Sequence, residues 1–303
     1  MKHDFYIASE DKDQQLHCVI WEPETTPIGI LQLVHGMEEY IDRYDRLADE
    51  MVSRGWAVIG HDHLGHGYSG KWERGFFTEK ANGARILIND IEKVTTEARK
   101  RWHGVRIFIF GHSMGSFFTR RYMAEYGKGI HGAVICGSGW YSALETGVAY
   151  LAARFFCVIK GEHSKSKLLA AICSLPFLNA FKDEGSGAWL SSNRDNVEAY
   201  KADPLCGFHF TCGGYRYMYE NLLLVSIGYH YERLCPIPLL VISGADDPVG
   251  GTKGVRKIVA GYRRLNFRDV TEYVIPGNRH EILFEHEAAD TIRYIADWLG
   301  RYL

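Results

Sequence analysis

Short apolar runs alternate with amphipathic segments along most of this chain. Runs rich in Val, Ile, Leu and Phe predict strands, and the segments between the later runs carry the apolar spacing of helices. The strands are expected near residues 4–8, 16–21, 29–34, 56–60, 105–110, 131–136, 238–243 and 269–275, and the helices near 41–54, 83–102, 114–126, 252–263 and 286–302. This order predicts an α/β fold in which helices flank a mostly parallel central sheet, with the opening strands as an antiparallel edge.

Residues 106–120 join a strand-like run to a helix-compatible segment through Gly111-His112-Ser113-Met114-Gly115. A G-x-S-x-G sequence between a strand and a helix is typical of the nucleophile elbow, a sharp turn that presents a serine. The glycines are needed because strand, helix and substrate approach closely around that turn. The pentapeptide alone also fits a glycine-rich surface turn, so it is the strand-to-helix context that makes Ser113 the candidate nucleophile.

A serine hydroxyl needs a histidine base, and the histidine needs a carboxylate that fixes its orientation. Around a nucleophile elbow these groups follow in the order Ser, Asp, His. Asp246 and Asp247 come directly after one late strand-like run, and His280 comes after the next. Because the carboxyl ends of parallel strands meet at one edge of a sheet, we expect these side chains to lie near Ser113.

Negative charge that develops on a carbonyl oxygen needs two backbone N–H donors. One is expected from the residue after the nucleophile, Met114. The strand-like run near 29–34 ends in His35-Gly36-Met37, which makes the Met37 N–H the second candidate. Glu39 and Arg43 are expected either to brace the oxyanion loop or to be solvated at the surface. His112 and Glu281 are expected to be structural neighbours that pack or hydrogen-bond near these loops.

Four segments together resemble the α/β-hydrolase fold and, within it, the lysophospholipase and monoacylglycerol lipase-like serine hydrolases. They are residues 35–70, 110–116, 242–250 and 276–285, and the first, HGMEEYIDRYDRLADEMVSRGWAVIGHDHLGHGYSG, is far more specific than the pentapeptide. The resemblance implies cleavage of carboxylic esters through an acyl-enzyme intermediate, without a cofactor or a metal. It also implies a small-molecule ester with an acyl chain as substrate, either a monoacylglycerol or a lysophospholipid.

The resemblance also implies individual roles. The family's acid lies three residues after the glycine that ends the strand, which selects Asp247 over Asp246. The implied roles are nucleophile for Ser113, base for His280, acid for Asp247, and oxyanion N–H donors for Met37 and Met114.

The resemblance is weak over residues 138–232, where the βα alternation also stops. Helices are expected near 143–159, from 167 to a point before Pro176, and near 213–227. We interpret this insertion after the sixth strand as a helical cap, so that residues 1–137 and 233–303 form the core domain and 138–232 the cap. Its apolar side chains either line an acyl-chain pocket or pack the cap on the core: Phe155, Phe156, Leu169, Ile172, Phe177, Leu178 and Phe181.

Other functions remain open at this point. The same triad serves short-chain carboxylesterases and aminopeptidase-type amidases. His61, His63 and His66 follow a strand-like run as in the zinc-binding turn of metal-dependent hydrolases, although Gly65 stands where such a turn usually carries an aspartate. The alternative there is a polar turn that hydrogen-bonds its own backbone. A non-catalytic hydrolase-like binding protein is the remaining class, against which the intact triad argues.

Composition narrows the function classes. With 303 residues, 46% of them hydrophobic, the chain can bury one large core, and its net charge of −2 gives no electrostatic footprint for nucleic acid. Residues 1–21 contain charges and no long apolar run, so we expect neither a secretory signal nor a membrane span. The seven cysteines form no C-x-x-C motif, which favours free thiols in the cytoplasm and leaves a Cys206–Cys212 pair open.

Overall fold

The structure is a computed structural model that describes the backbone of residues 1–303 and all side chains except those of Leu175, Pro176 and Leu178. The strands are β1 (Lys2–Ala8), β2 (Gln15–Trp21), β3 (Ile30–Val34), β4 (Ala57–His61), β5 (Ile107–His112), β6 (Gly132–Cys136), β7 (Leu239–Gly244) and β8 (Val270–Ile275). They form a sheet in the order β1-β2-β4-β3-β5-β6-β7-β8. The β1–β2 and β2–β4 pairs are antiparallel and the later pairs are parallel, which confirms the predicted fold class and its antiparallel edge.

The helices follow the predicted alternation with the strands. They are α1 (Asp45–Ser53), α2 (Gly83–Arg101), α3 (Met114–Tyr126), α4 (Ala143–Lys160), α5 (Lys167–Leu178), α6 (Arg194–Ala202), α7 (Cys212–Ser226), α8 (Gly251–Arg264) and α9 (Ala288–Gly300). A 3-10 turn over Ile41–Tyr44 precedes α1, so the helix expected at 41–54 begins later than predicted.

The central strands are buried on both faces of the sheet. Every residue of β3 and β5 is buried, as expected for apolar parallel strands covered by helices. Along β5, Ile107 and Ile109 pack with α2, α3 and α8, whereas Phe108 and Phe110 pack with α1 and α9. Each such side chain contributes about 1.5–3 kcal/mol on burial. The two apolar layers therefore hold the carboxyl ends of β5, β7 and β8 at one fixed edge.

Between β6 and β7 the chain forms α4, α5, α6 and α7; we call residues 138–232 the cap segment. Helix α4 packs against α7, and α7 also contacts α2 and α3. The sequence prediction located α4 and α7 but not α6, whose sequence RDNVEAYKA buries only Val197 and so has little apolar periodicity. It was also wrong to end the second helix before Pro176, since a proline near a helix end removes one donor without stopping the helix. The division into core and cap stays a prediction.

All seven cysteines are free thiols, so the Cys206–Cys212 pair is not formed. Burial raises the pKa of the Cys136 thiol well above its ordinary value, which keeps it protonated inside the sheet. Among the described residues, no helix is long and apolar enough to cross a bilayer.

Candidate active site

Ser113 lies in the turn between β5 and α3 with a φ of 52° and a ψ of −119°. A positive φ is costly for a residue with a Cβ, so the surroundings must enforce it. A Cβ on Gly115 would overlap the carbonyl oxygens of Val34 and His35, and a Cβ on Gly111 would overlap the first turns of α3. The two glycines thus allow the helix to start directly against β3 and β5, and this close approach sets the strained turn that presents the serine.

Ser113, His280 and Asp247 form a succession of hydrogen bonds. His280 Nε2 lies 2.8 Å from Ser113 Oγ, and His280 Nδ1 lies 2.9 Å from Asp247 Oδ1. Asp247 and His280 are buried, and Ser113 is half-buried. Because the carboxylate accepts a hydrogen bond from Nδ1–H, which fixes the proton of the neutral imidazole on Nδ1, Nε2 is left free to accept the proton of the serine hydroxyl.

The Asp247 carboxylate is fixed by the protein as well as by His280. Its Oδ2 accepts from Ser243 Oγ over 2.8 Å and its Oδ1 accepts from the Val249 N–H over 2.8 Å. Burial raises the pKa of Asp247, but His280 and these hydrogen bonds outweigh burial and hold the pKa below its ordinary value. Asp246, the alternative that the sequence left open, is exposed.

The two candidate oxyanion donors lie beside the serine. Met37 and Met114 line the same cavity as Ser113. Among the described residues, neither backbone N–H has a protein acceptor. Unpaired N–H groups are rare inside proteins, so two of them beside a serine are consistent with donors kept for a ligand oxygen.

A buried carboxylate anchors the loop that carries Met37. Glu39 Oε1 accepts from the Gly36 N–H over 2.6 Å, from the Tyr44 hydroxyl over 2.9 Å, and pairs with His112 Nδ1 over 2.9 Å. Burial raises the pKa of Glu39, but His112 and the nearby guanidinium of Arg43 outweigh it and lower the pKa below its ordinary value. Burial lowers the pKa of His112, but Glu39 outweighs it and raises that pKa. The charged forms of Glu39 and His112 therefore stabilise each other behind the elbow.

Arg43 extends this network to the histidine loop. Its guanidinium donates to Glu39 over 2.9 Å and to both carboxylate oxygens of Glu281 over 2.6 and 3.0 Å. Asn196 of α6 donates to Glu281 over 2.7 Å, so the cap segment joins the same network. Sequence reasoning missed Asn196 because a polar residue in an unrecognised helix carries no local signal of a contact so distant in sequence.

A cavity of about 610 Å³ opens over Ser113. This volume lies within the range of small-molecule sites. Much of its lining is apolar or aromatic and comes from the cap segment: Tyr141, Ala170, Ile172, Phe177, Trp189 and Leu222. The Trp189 ring lies 5.1 Å from the His280 ring, centre to centre, and was not singled out from the sequence.

The apolar cap residues singled out from the sequence divide between two roles. Ile172 and Phe177 line the cavity. Phe156 and Leu169 instead belong to the buried core, so for these two residues the alternative of packing the cap on the core applies. Two others lie elsewhere: Phe155 is exposed and the Phe181 ring packs against Arg279. The side chain of Leu178 lies outside the described residues.

The rings of His63 and His66 pack against His35, and the ring of His61 packs against His63. His35 Nε2 accepts from the His63 N–H over 2.9 Å, and His66 Nδ1 lies 3.2 Å from the Leu64 carbonyl oxygen. Within the described part of the chain, no three His, Cys, Asp or Glu side chains are arranged to share a metal ion. This donor set does not fit the metal-dependent alternative. The polar-turn alternative holds in part: His66 and Asp62 hydrogen-bond backbone groups of the turn, whereas neither ring nitrogen of His61 has a partner among the described residues.

A parallel sheet that presents an elbow serine, a histidine and a buried aspartate at its carboxyl edge is the arrangement of α/β-hydrolase-fold serine hydrolases. The chain is a serine hydrolase of this class. A family model described as serine aminopeptidase, S33 matches residues 25–287. Because the match covers most of the chain, the protein belongs to this family.

Relatives of known name agree with this class. The monoglyceride lipase of Mus musculus is 27% identical over 257 residues, which cover 82% of this chain and 75% of the mouse protein. The monoacylglycerol lipase of Mycolicibacterium smegmatis is 26% identical over 296 residues, covering 94% of this chain and 92% of that protein. A carboxyl esterase from Bacillus coagulans has the same fold, with a TM-score of 0.88 at 22% identity over 99% of this chain and 98% of its own.

The elbow can be tested through its glycines. Gly115→Ala is expected to lower the free energy of unfolding by about 2–3 kcal/mol, because the new Cβ must displace the backbone of β3. Gly300→Ala, in the last turn of α9, is the matched control, since a Cβ there meets open space, and it should change stability by less than about 0.5 kcal/mol. Urea unfolding measures both. If the two variants were equally stable, α3 would not begin as close to the end of β3 as the structure shows.

The buried histidines predict acid lability. Burial lowers the pKa of His61 and of His66 to about 3. In the unfolded chain these imidazoles bind protons below about pH 6.5. Above pH 6.5 these histidines leave the free energy of unfolding unchanged. As the pH falls from 6.5 toward 3 the free energy of unfolding decreases, and at pH 4.5 the decrease is about 2.5 kcal/mol per histidine.

Equilibrium unfolding at several pH values measures this dependence. His66→Gln should reduce its slope below pH 6.5 by about one proton, whatever its effect on stability at pH 7. His103→Gln is the control, because His103 is exposed, and it should keep the slope of the wild type. An unchanged slope in His66→Gln would show that His66 is not buried in its neutral form.

Proposed function

We propose that the protein hydrolyses the ester bond of a monoacyl lipid with Ser113, His280 and Asp247 as its catalytic triad. The observation that carries this proposal is the hydrogen-bonded succession from Ser113 Oγ to Asp247, placed at an apolar cavity of about 610 Å³. Cavities of this kind take small molecules with long apolar parts.

In the proposed reaction Ser113 Oγ attacks the ester carbonyl carbon while His280 Nε2 takes the hydroxyl proton. Asp247 holds the imidazole in orientation and stabilises its protonated form. The carbonyl oxygen becomes an oxyanion that accepts hydrogen bonds from the N–H groups of Met37 and Met114. His280 then protonates the leaving alcohol oxygen. A water molecule, deprotonated by His280, then attacks the acyl carbon. The bond from that carbon to Ser113 Oγ breaks as His280 returns the proton to Oγ, and the fatty acid is released.

The lipid assignment rests on the cavity and on the relatives. The apolar lining supplied by the cap segment suits an acyl chain better than a polar peptide. Relatives that align over four-fifths or more of the chain are named monoglyceride lipase or monoacylglycerol lipase, and a probable lysophospholipase from Haemophilus influenzae is 21% identical. We include in the proposal that residues 138–232 form a cap over the site. Because cysteines stay reduced in the cytoplasm, the free thiols support a cytoplasmic location.

An apolar face of α4 also supports a lipid substrate. Its members recur every three to four residues and are 60–85% exposed: Leu144, Val148, Leu151, Phe155 and Val158. Such a continuous exposed stripe is unusual on a soluble surface and is suited to contact with lipid. Since α4 also contributes Ala149 to the cavity lining, the stripe lies on an element of the substrate site.

The triad can be tested with two neighbouring aspartates. Ser113→Ala and Asp247→Asn are each expected to lower kcat by about 10⁴-fold or more, because the nucleophile or the orientation of its base is lost. Asp246→Asn removes the adjacent, exposed carboxylate and should leave the rate unchanged. Steady-state hydrolysis of a p-nitrophenyl ester measures all three. A comparable loss in the Asp246 and Asp247 variants, or full activity in Ser113→Ala, would refute the assignment.

A substrate panel separates lipase from the two other uses of this triad. We expect a long-chain monoacylglycerol or a lysophosphatidylcholine to be hydrolysed with a higher kcat/KM than a short p-nitrophenyl ester or an aminoacyl amide. The physical reason is burial of the acyl chain, at about 0.8 kcal/mol per CH₂ group. A preference for the short ester would favour a carboxylesterase, and a preference for the amide would favour an aminopeptidase.

The exposed face of α4 predicts a dependence on how the lipid is presented. Val158→Glu should lower the rate on monoacylglycerol in lipid vesicles by about tenfold, because a charge replaces a buried apolar contact with the vesicle. Ile28→Glu makes the same change at an exposed residue before β3 and should have little effect. A soluble short ester is the second control. Equal vesicle rates for both variants would speak against lipid contact by α4.

A further inference from the structure

Glu38 has an unusual backbone for a residue with a side chain. Its φ is 59°, in the left-handed region that favours glycine. Its carbonyl oxygen accepts from the Gly207 N–H over 3.0 Å and from the Tyr200 hydroxyl over 2.9 Å. These two hydrogen bonds hold the backbone and would hold it equally for a glycine. The carboxyl group therefore adds nothing to the turn, and its presence there calls for another explanation.

The Glu38 side chain lines the cavity next to Met37, a proposed oxyanion donor. Three other glutamates line this cavity and each has a partner: Glu39 in its ion pair with His112, Glu145 at the start of α4, and Glu281 with Arg43. No hydrogen-bond or ion-pair partner contacts the Glu38 carboxyl among the described side chains. Its carboxyl group therefore lines the cavity without being held by another side chain.

The groups around Glu38 favour its neutral form. Burial raises its pKa to about 8, and Lys165, from the loop before α5, opposes this only in part. The other titratable groups nearby are Tyr200 of α6, Tyr215 of α7, His209 before α7, and the carboxyl groups of Glu39 and Glu281. Near neutral pH the group is mainly a carboxylic acid, which can both donate and accept a hydrogen bond.

We propose that Glu38 is a specificity-determining residue whose carboxyl group hydrogen-bonds a hydroxyl of the leaving alcohol, so that the enzyme favours esters of neutral polyols such as glycerol. This rests on the proposed function. A lysophospholipid would bring a phosphodiester charge toward Glu39 and Glu281, whose nearby cation, Arg43, is already shared between them. A neutral polyol meets no such repulsion.

Ionisation of Glu38 then lowers activity for two reasons. A carboxylate beside Met37 repels the oxyanion that forms on the carbonyl oxygen, and substrate entry removes the water that the charge needs. Both effects favour the protonated form. The value of kcat/KM is therefore expected to fall as the pH rises above about 8, the pKa of this group.

The test compares a monodecanoylglycerol with ethyl decanoate, which has the same acyl chain but no hydroxyl on its leaving alcohol. Glu38→Leu is expected to lower the ratio of their kcat/KM values about tenfold, because the hydroxyl loses its partner. Glu38→Gln keeps a donor and an acceptor, so the ratio should stay within about threefold of the wild type. Glu198→Gln, on an exposed carboxylate of α6, is the control.

The pH profile supplies a readout that a purely structural role would not change. The decline in kcat/KM above pH 8 should be present in the wild type and absent in Glu38→Gln. Since a raised pKa in the folded state weakens stability as the pH rises from about 4.5 to 8, Glu38→Gln should also melt at a higher temperature than the wild type at pH 7 but not at pH 4.

The outcomes separate this inference from the proposed function. If the wild type hydrolyses neither decanoyl ester, the lipid assignment fails and the inference falls with it. If both esters are hydrolysed but Glu38→Leu keeps the wild-type ratio, or Glu38→Gln keeps the alkaline decline, the inference alone is overturned. A loss on lysophosphatidylcholine as large as that on the monoacylglycerol would overturn the preference for a neutral polyol.

Discussion

The buried carboxylate of Glu39 joins the three loops from which the candidate active site is built. It fixes the loop of Met37 through the Gly36 N–H, the elbow through His112, and the histidine loop through Arg43 and Glu281. A buried charge is costly unless it is fully paired, so removing any one partner would leave the others uncompensated. The geometry of the site thus depends on an electrostatic network that lies behind the reacting groups.

The same region concentrates local strain. Ser113 and Glu38 both have positive φ, and both lie at the cavity. Burial lowers the pKa values of His61, His63 and His66, which lowers stability in acid. Such features persist only where the surrounding structure enforces them, and here the two apolar layers on the sheet do so. The stability of the packed sheet therefore compensates for the strained backbone of Ser113 and Glu38 at its carboxyl edge.

Site residues marked by a local sequence pattern could be predicted from the sequence, whereas contacts between distant segments could not. Ser113 and His280 could be found because a motif or a strand end marks each of them. The choice between Asp246 and Asp247 depended on the family resemblance, since adjacent residues share one pattern. Burial now separates them, because the turn after β7 directs one carboxylate to His280 and the other to solvent.

The hydrophobic pattern did not predict the contacts between segments that are distant in sequence. The ion pair between Arg43 and Glu281 joins residues 238 positions apart. Asn196 reaches the same network from a helix that is polar along most of its length. For the cap segment, apolar composition predicted that some residues would line a pocket. It could not tell Phe177, which lines the cavity, from Phe156, which is buried in the core, because both are equally apolar.

Glu38 and Glu39 illustrate how environment sets chemistry. They are adjacent in sequence, have the same side chain, and burial raises the pKa of both, yet the pKa of Glu39 ends below its ordinary value and that of Glu38 above it. Glu39 faces a histidine and an arginine, which make its charged form the stable one. Glu38 faces the cavity with only a distant lysine to oppose burial, which makes its neutral form the stable one. Neighbouring carboxyl groups held in different protonation states can divide two tasks at one site. The charged one organises the loops and the neutral one is free to meet a substrate.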